Sequence, residues 1–252
     1  GQRNVVLKNN GHSVQLDIVG DPGEMTYGSS VYRLLQCHFH VGSEHTIGGK
    51  QLDMVAHCVH EQTAGPKGGA VGYSRYGVLA YFFEVSDTES DAFLAQFEDK
   101  LPGRPLGGAP GVRNSSAGVG SSSTSTPSGG GNRRLSSVAA SISDFAGPVD
   151  FSLMHDNKAL MEYYTYDGSL TTPPCSEIVD WYLGMQPRKI SGAQLQKFKD
   201  AIQIDGGNYR PPQALHGRII EGCEERTIAG AHRLQPLLKV LMSVAVLALV
   251  LV

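Results

Sequence analysis

Gln36-Cys37-His38-Phe39-His40-Val41 and Val55-Ala56-His57-Cys58-Val59-His60 are the two stretches whose reading decides the fold. In the first, one residue separates His38 from His40. Side chains two apart share a face of a β-strand. The stretch reads as a strand, Val31 to Val41, with both imidazoles on one side. Gly48-Gly49 supplies a turn, and Gln51 to His60 reads as the returning strand. In an antiparallel return His57 can stand opposite His38, and three imidazoles then meet at one point.

Three neutral ring nitrogens with one position left open form the ligand set of a hydrolytic or hydrating zinc centre. Bound zinc brings the pKa of water to about 7 and so provides hydroxide at neutral pH. A sheet suits such a centre because backbone hydrogen bonds fix the ligand geometry. On spacing alone a second reading stays open, in which these histidines are separately satisfied core or surface groups. His45 and His60 stay unassigned in the same way. The register carries a further expectation. If His38 opposes His57, Cys37 opposes Cys58 on the face turned away from the histidines. We expect two packed thiols there rather than a disulfide, since free cysteine commonly packs as a small hydrophobe.

Working outward, Val14-Gln15-Leu16-Asp17-Ile18 alternates apolar and polar, the period of a half-buried strand. Val78 to Val85 is an apolar, aromatic run typical of a central strand, and Asp91 to Lys100 reads as helical, with Phe93, Leu94 and Phe97 on one face. Ser191 to Ile202 has helical spacing, with Leu195, Phe198 and Ile202 in phase. Strands outnumber helices, so the class is mainly β (α+β). Residues 102–143 are rich in Gly, Ser and Pro with almost no large apolar side chains, which predicts a disordered insert. Asn114-Ser115-Ser116 within it is a glycosylation sequon, meaningful in a secreted chain.

The 252 residues allow one large domain or two small ones, and 40% hydrophobic residues allow a sizeable core. A net charge of -3 with no dominant Lys/Arg block argues against nucleic-acid binding. None of Cys37, Cys58, Cys175 and Cys223 forms a CxxC pair, which disfavours a zinc ribbon or a thioredoxin motif. The chain opens at Gly1 without Met or leader and reads as processed or truncated there. From Leu237 to Val252 only Lys239 and Ser243 interrupt an apolar run. This tail is short against the roughly 20 residues a spanning helix needs. Preceded by Ala229-Gly230-Ala231 and a polar spacer, it fits a GPI-anchor signal. A clipped membrane span and a buried helix are the alternatives.

Six ordered segments resemble the α-type carbonic anhydrase family: Asn9 to Ser13, Gln36 to His40, Ser43 to Thr46, His57 to His60, Tyr166 to Cys175, and Asn208 to Gln213. They span residues 5 to about 221 apart from the insert. The resemblance implies a large central, mostly antiparallel twisted sheet with short peripheral helices, and reversible hydration of carbon dioxide to bicarbonate and a proton. It implies His38, His40 and His57 as ligands of Zn2+, with Gln36 holding His38. Thr171 would accept a hydrogen bond from zinc-bound hydroxide and be oriented by Glu44. Thr172, with the Thr171 backbone N–H, would place bicarbonate. His12 would shuttle the proton, a role that suits a side chain titrating near neutrality. Val59, Val78, Leu170, Val179 and Trp181 would line an apolar pocket for carbon dioxide. As residues alone, Leu170, Val78 and Trp181 also fit a β-domain core, and His12 fits an ordinary turn.

The chain also departs from the family pattern. The match starts partway in, with roughly the first quarter of the family domain absent. That segment would carry the usual disulfide partner of Cys175, so Cys175 is expected free. Val55 stands where the family has a Glu that hydrogen-bonds a ligand ring, and Val41 stands for a Trp after the second ligand; the loop from His40 to Ser43 is very short. The expected organisation is a first domain part over 1–101, the insert over 102–143, a second part over 144–222, a linker over 223–236 and the apolar tail over 237–252. The expected protein is a zinc lyase that is secreted or at the cell surface, GPI-anchored or otherwise membrane-attached where the tail serves that purpose. The alternative is a weak or inactive carbonic-anhydrase-like binding or structural domain.

Overall fold

The computed structural model describes residues 1–27, 29–65, 76–105, 141–155, 162–228 and 231–236. The expectations for the sequon at Asn114, for most of the insert and for the tail over 237–252 lie outside these residues.

The centre of the molecule is a run of three strands. β4 is Ser30–Val41, β7 is Met54–Ala64 and β8 is Tyr76–Ser86. β7 pairs antiparallel with both neighbours. Two short strands, β5 (Thr46–Ile47) and β6 (Lys50–Gln51), form a small separate hairpin around the expected Gly48-Gly49 turn. Both glycines have positive φ, a backbone that side-chain-bearing residues rarely adopt. On the β4 side the sheet continues through β2 (Val14–Val19), β1 (Gln2–Asn9) and β9 (Ser141–Asp150), with β3 (Glu24–Tyr27) on the other part of β4. On the β8 side it continues through β11 (Val179–Gly184) and β10 (Glu162–Gly168) to the hairpin of β13 (Glu221–Ile228) and β14 (Ala231–Pro236). Most pairs are antiparallel; β11 and β12 (Arg188–Ser191) run parallel to β8. The mainly β expectation therefore holds as a mixed sheet with antiparallel pairing dominant.

The sheet buries apolar side chains on both faces. Phe39, Phe97 and Phe198 meet behind β4, where α1 (Gly192–Ile202), the one long helix among the described residues, packs. Ser191 caps that helix in a reciprocal box with Gln194, satisfying two otherwise orphan backbone donors. On the other face Val55, Val78, Phe82, Val179 and Trp181 form a second cluster.

Four expectations need correction. Asp91 to Lys100 is not one helix but two short 3₁₀ turns, Leu94–Gln96 and Glu98–Lys100. Phe93, Leu94 and Phe97 are nonetheless buried together, because burial and not helix type set their spacing. The ordered chain reaches past 101: Asn9 donates to the Pro102 carbonyl, and Arg104 donates to the carbonyls of Gly11 and Gln203. It resumes at Ser141 in β9, before the expected end of the insert. Residues 223–236 are not a linker but largely the β13–β14 hairpin, which β10 extends into the sheet. Among the described residues no helix is long and apolar enough to cross a membrane.

Candidate metal centre

The β4–β7 register sets His38 opposite His57, His40 opposite Val55 and Cys37 opposite Cys58. Strand parity then turns the three imidazoles to one face. Ring centroids are 5.0 Å apart for His38–His40, 5.3 Å for His38–His57 and 4.9 Å for His40–His57. One ligand atom from each lies within 4.8 Å of the others, and no other group among the described residues brings three such donors together.

Two of the rings are anchored from behind. His38 Nδ1 lies 2.9 Å from Gln36 Oε1, and His40 Nδ1 lies 2.9 Å from the Asn208 carbonyl. Both partners are acceptors, so each Nδ1 carries the proton and each Nε2 keeps its lone pair. His40 Nε2 and His57 Nε2 are buried without a hydrogen-bond partner. Burial first, then the neighbouring His40, holds His38 and His57 well below the ordinary imidazole range. Neutral, partly orphaned nitrogens in a buried triangle fit a zinc ion, whose ligands must be deprotonated.

The triangle lies in a cavity of about 330 Å³. Val59, Val78, Val179 and Trp181 come to it from adjacent strands, with Val59 beside Val78 and Val78 beside Trp181 in register. Leu170, Thr171 and Thr172 reach the same cavity from the loop after β10, and Gln36 and His12 also border it. Trp181 Nε1 donates to the Ser169 carbonyl at 3.2 Å and so fixes the start of that loop. His12 sits exposed in the β1–β2 turn, where its N–H and that of Ser13 both donate to Asn10 Oδ1. Its ring is 5.8 Å from that of His40. Partial burial, followed by the charges of His40 and Arg104, pushes the His12 pKa down to about 4.

Glu44 is buried behind the ligands, with Oε1 accepting the Arg210 N–H at 2.8 Å and Oε2 unpartnered. No hydrogen bond joins Glu44 to Thr171; the Arg210 amide takes Oε1 and leaves Oε2 free. Glu44 is instead 3.6 Å from His40 Nδ1 and 3.7 Å from His57 Nδ1. Val55 is fully buried and offers His57 no acceptor, so no hydrogen bond anchors the third ring. The short loop after His40 works because Gly42 has φ +82° and a Cβ there would press into Tyr209 at 2.5 Å.

The thiol expectation is overturned. Cys37 and Cys58 oppose each other as the register predicts, with Cα atoms 4.1 Å apart, but they form a disulfide. The separation is that of a closely spaced antiparallel pair, near enough for the sulfurs to bond. Cys175 carries no disulfide among the described residues.

Asn208 is the functional residue that the sequence did not single out. Its carbonyl holds His40, its Oδ1 accepts the Val41 N–H, and its Nδ2 donates to the carbonyls of His12 and Phe39. One buried amide thus ties the His12 turn to the ligand strand. The only signal was its place in Asn208-Tyr209-Arg210-Pro211-Pro212-Gln213; a many-partnered amide has no sequence pattern of its own.

The family model for eukaryotic-type carbonic anhydrases matches residues 1–103 and 133–223. The chain belongs to this family. It is 29% identical over 223 residues to alpha carbonic anhydrase 8 of Arabidopsis thaliana, covering 86% of this chain and 45% of that one. It is 30% identical over 249 residues to carbonic anhydrase 7 of Mus musculus, covering 85% of this chain and 75% of that one. The chain thus spans under half the length of the first relative. Among solved structures, an α-carbonic anhydrase from Thermovibrio ammonificans in complex with the inhibitor sulfanilamide superposes with a TM-score of 0.61 at 27% identity. That match covers 86% of this chain and 74% of the other.

Proposed function

We propose that this carbonic anhydrase relative is a zinc-dependent enzyme that interconverts carbon dioxide and water with bicarbonate and a proton. The observation that carries the reading is the convergence of His38, His40 and His57 in a cavity with an apolar wall. Zinc, when bound, makes a coordinated water acidic enough to act as a nucleophile near pH 7. The chain supplies the rest. Gln36 and the Asn208 carbonyl hold two ligand rings in one tautomer. Val59, Val78, Leu170, Val179 and Trp181 receive a small uncharged substrate that demands no hydrogen bonds. The hydroxyls of Thr171 and Thr172, with the Thr171 backbone N–H, place the anionic product. His12, at the exposed edge, would pass the proton to buffer; a pKa held down to about 4 makes it a weak acceptor, so this transfer would limit the rate in weak buffer. The same reading places the domain in the extracellular space or at the cell surface, with residues 237–252 as a GPI-anchor signal or a membrane segment; its support is the order of small residues, polar spacer and apolar run.

The test is stopped-flow carbon dioxide hydration by the zinc-loaded chain, with and without an aromatic sulfonamide. A zinc-dependent rate that the sulfonamide suppresses is expected. Two observations favour a second reading, a weak or inactive binding domain: Val55 and the unlinked Glu44 and Thr171. Bound zinc with no rate above buffer would establish that reading and discard the first.

A further inference from the structure

We infer that the Cys37–Cys58 disulfide is a positioning device for the metal ligands, clamping His38 to His57 from the opposite face of the sheet. The inference rests on the zinc reading above. Its first observation is adjacency. The bonded pair is the register position next to His38–His57 on the same two strands. Successive side chains alternate faces, so the clamp stands behind the ligands and takes no place in the cavity.

The second observation is a register fault. Leu34 pairs with His60 and Gln36 with Val59, which leaves Leu35 as the extra residue of a bulge. A bulge that moved along β4 by a few residues would carry His38 out of line with His57. A one-residue slip sends every side chain of the slipped segment to the other face. The disulfide lies between the bulge at Leu35 and the ligand at His38, where it blocks that movement covalently.

The third observation is the bare third ligand. His57 has no hydrogen-bonded support, since Val55 offers none and Glu44 stays 3.7 Å away. Its position therefore depends on its backbone, which the bond at Cys58 holds directly. Both cysteines are almost completely buried, and Cys58 Sγ packs 3.7 Å from Met154 Sδ, so the clamp is shielded from solvent.

The experiment measures zinc affinity by competition with a chromophoric chelator, together with the visible spectrum of the Co2+-loaded protein. It compares the oxidised chain with the double variant Cys37→Ala, Cys58→Val. Leu195→Ala, on the α1 helix away from the ligands, serves as a control for lost stability. Loss of the clamp should weaken zinc binding about 10-fold, the scale of lost ligand support. It should also broaden and weaken the four-coordinate Co2+ bands. The control should lower the melting temperature and leave both readouts unchanged. If the double variant does not fold, the wild-type chain is compared before and after reduction of the disulfide by a phosphine that is then removed under nitrogen. Equal zinc affinity and equal Co2+ spectra with and without the bond would overturn the inference and leave the metal centre standing. So would alkylation of both cysteines in the unreduced, denatured native protein. Absence of zinc binding in every form would overturn the metal centre and the inference together.

Discussion

At the scale of single residues, the ligands were legible and their supports were not. His38 and His40 follow from strand parity alone, and His57 from one turn and an antiparallel return. What holds them is less regular: a neighbour two residues away for His38, a carbonyl 168 positions along the chain for His40, and no side-chain hydrogen bond for His57. Val55→Gln should give His57 a neutral acceptor on the same face. Zinc retention against a chelator is expected to improve about 10-fold, the inverse of a typical lost support. His12→Ala should slow hydration in weak buffer, with the rate recovered by added imidazole; an unchanged rate would remove His12 from proton transfer. His60 gives a pH prediction. Burial pushes its pKa from 6.5 down to about 4, against the opposing effect of hydrogen bonds that its ring donates to the backbone of Cys58 and Gly77. Above pH 6.5 both folded and unfolded chains leave it neutral. Between about 6.5 and 4 only the unfolded chain takes up a proton, so stability falls as pH falls. The loss approaches about 3 kcal/mol at the acid end. Urea unfolding from pH 7.5 to 4.5 should therefore be less pH-dependent in His60→Gln than in the wild type.

At the scale of elements, hydrophobic period found most strands and the long helix. β2, β4, β7, β8 and α1 all stand within a few residues of their expected bounds. The failures have separate causes. Asp91 to Lys100 has helical spacing, but its backbone does not stay helical. Phe97, at φ −143° and ψ −4°, leaves the helical region and divides the run into two tight turns. The β13–β14 hairpin lacks the alternation that marks a half-buried strand and was read as a linker. The disulfide was missed because register fixes proximity and not oxidation state. Element packing also bears on the site. Phe198 of α1 lies against Phe39, the residue between two ligands, with ring centroids 4.9 Å apart. Phe198→Ala should cost about 4 kcal/mol by leaving a cavity beneath the ligand strand. Denaturant unfolding checks the cost. Unlike Leu195→Ala, this variant should also lower zinc affinity.

At the scale of the whole molecule, one sheet serves two purposes. Its rear face, with α1 and the aromatic cluster of Phe39, Phe93, Phe97 and Phe198, supplies most of the core. Its front face carries the three histidines and the apolar wall. β7 sits between the other ligand strand, β4, and the wall strand β8, so ligands and substrate pocket share one rigid platform. Residues from the β1–β2 turn, from the loop after β10 and from the segment around Asn208 then close over it. That assembly depends on long-range packing, which explains why the fold class was readable while the Asn208 ties were not. The central claim is that three histidines on two strands form one zinc centre. The most direct measurement is the zinc content of the chain after dialysis against trace zinc, beside that of His57→Ala. One zinc per chain, lost in the variant, is the predicted result. A wild-type chain that retains no zinc, or a variant that retains one, would contradict it.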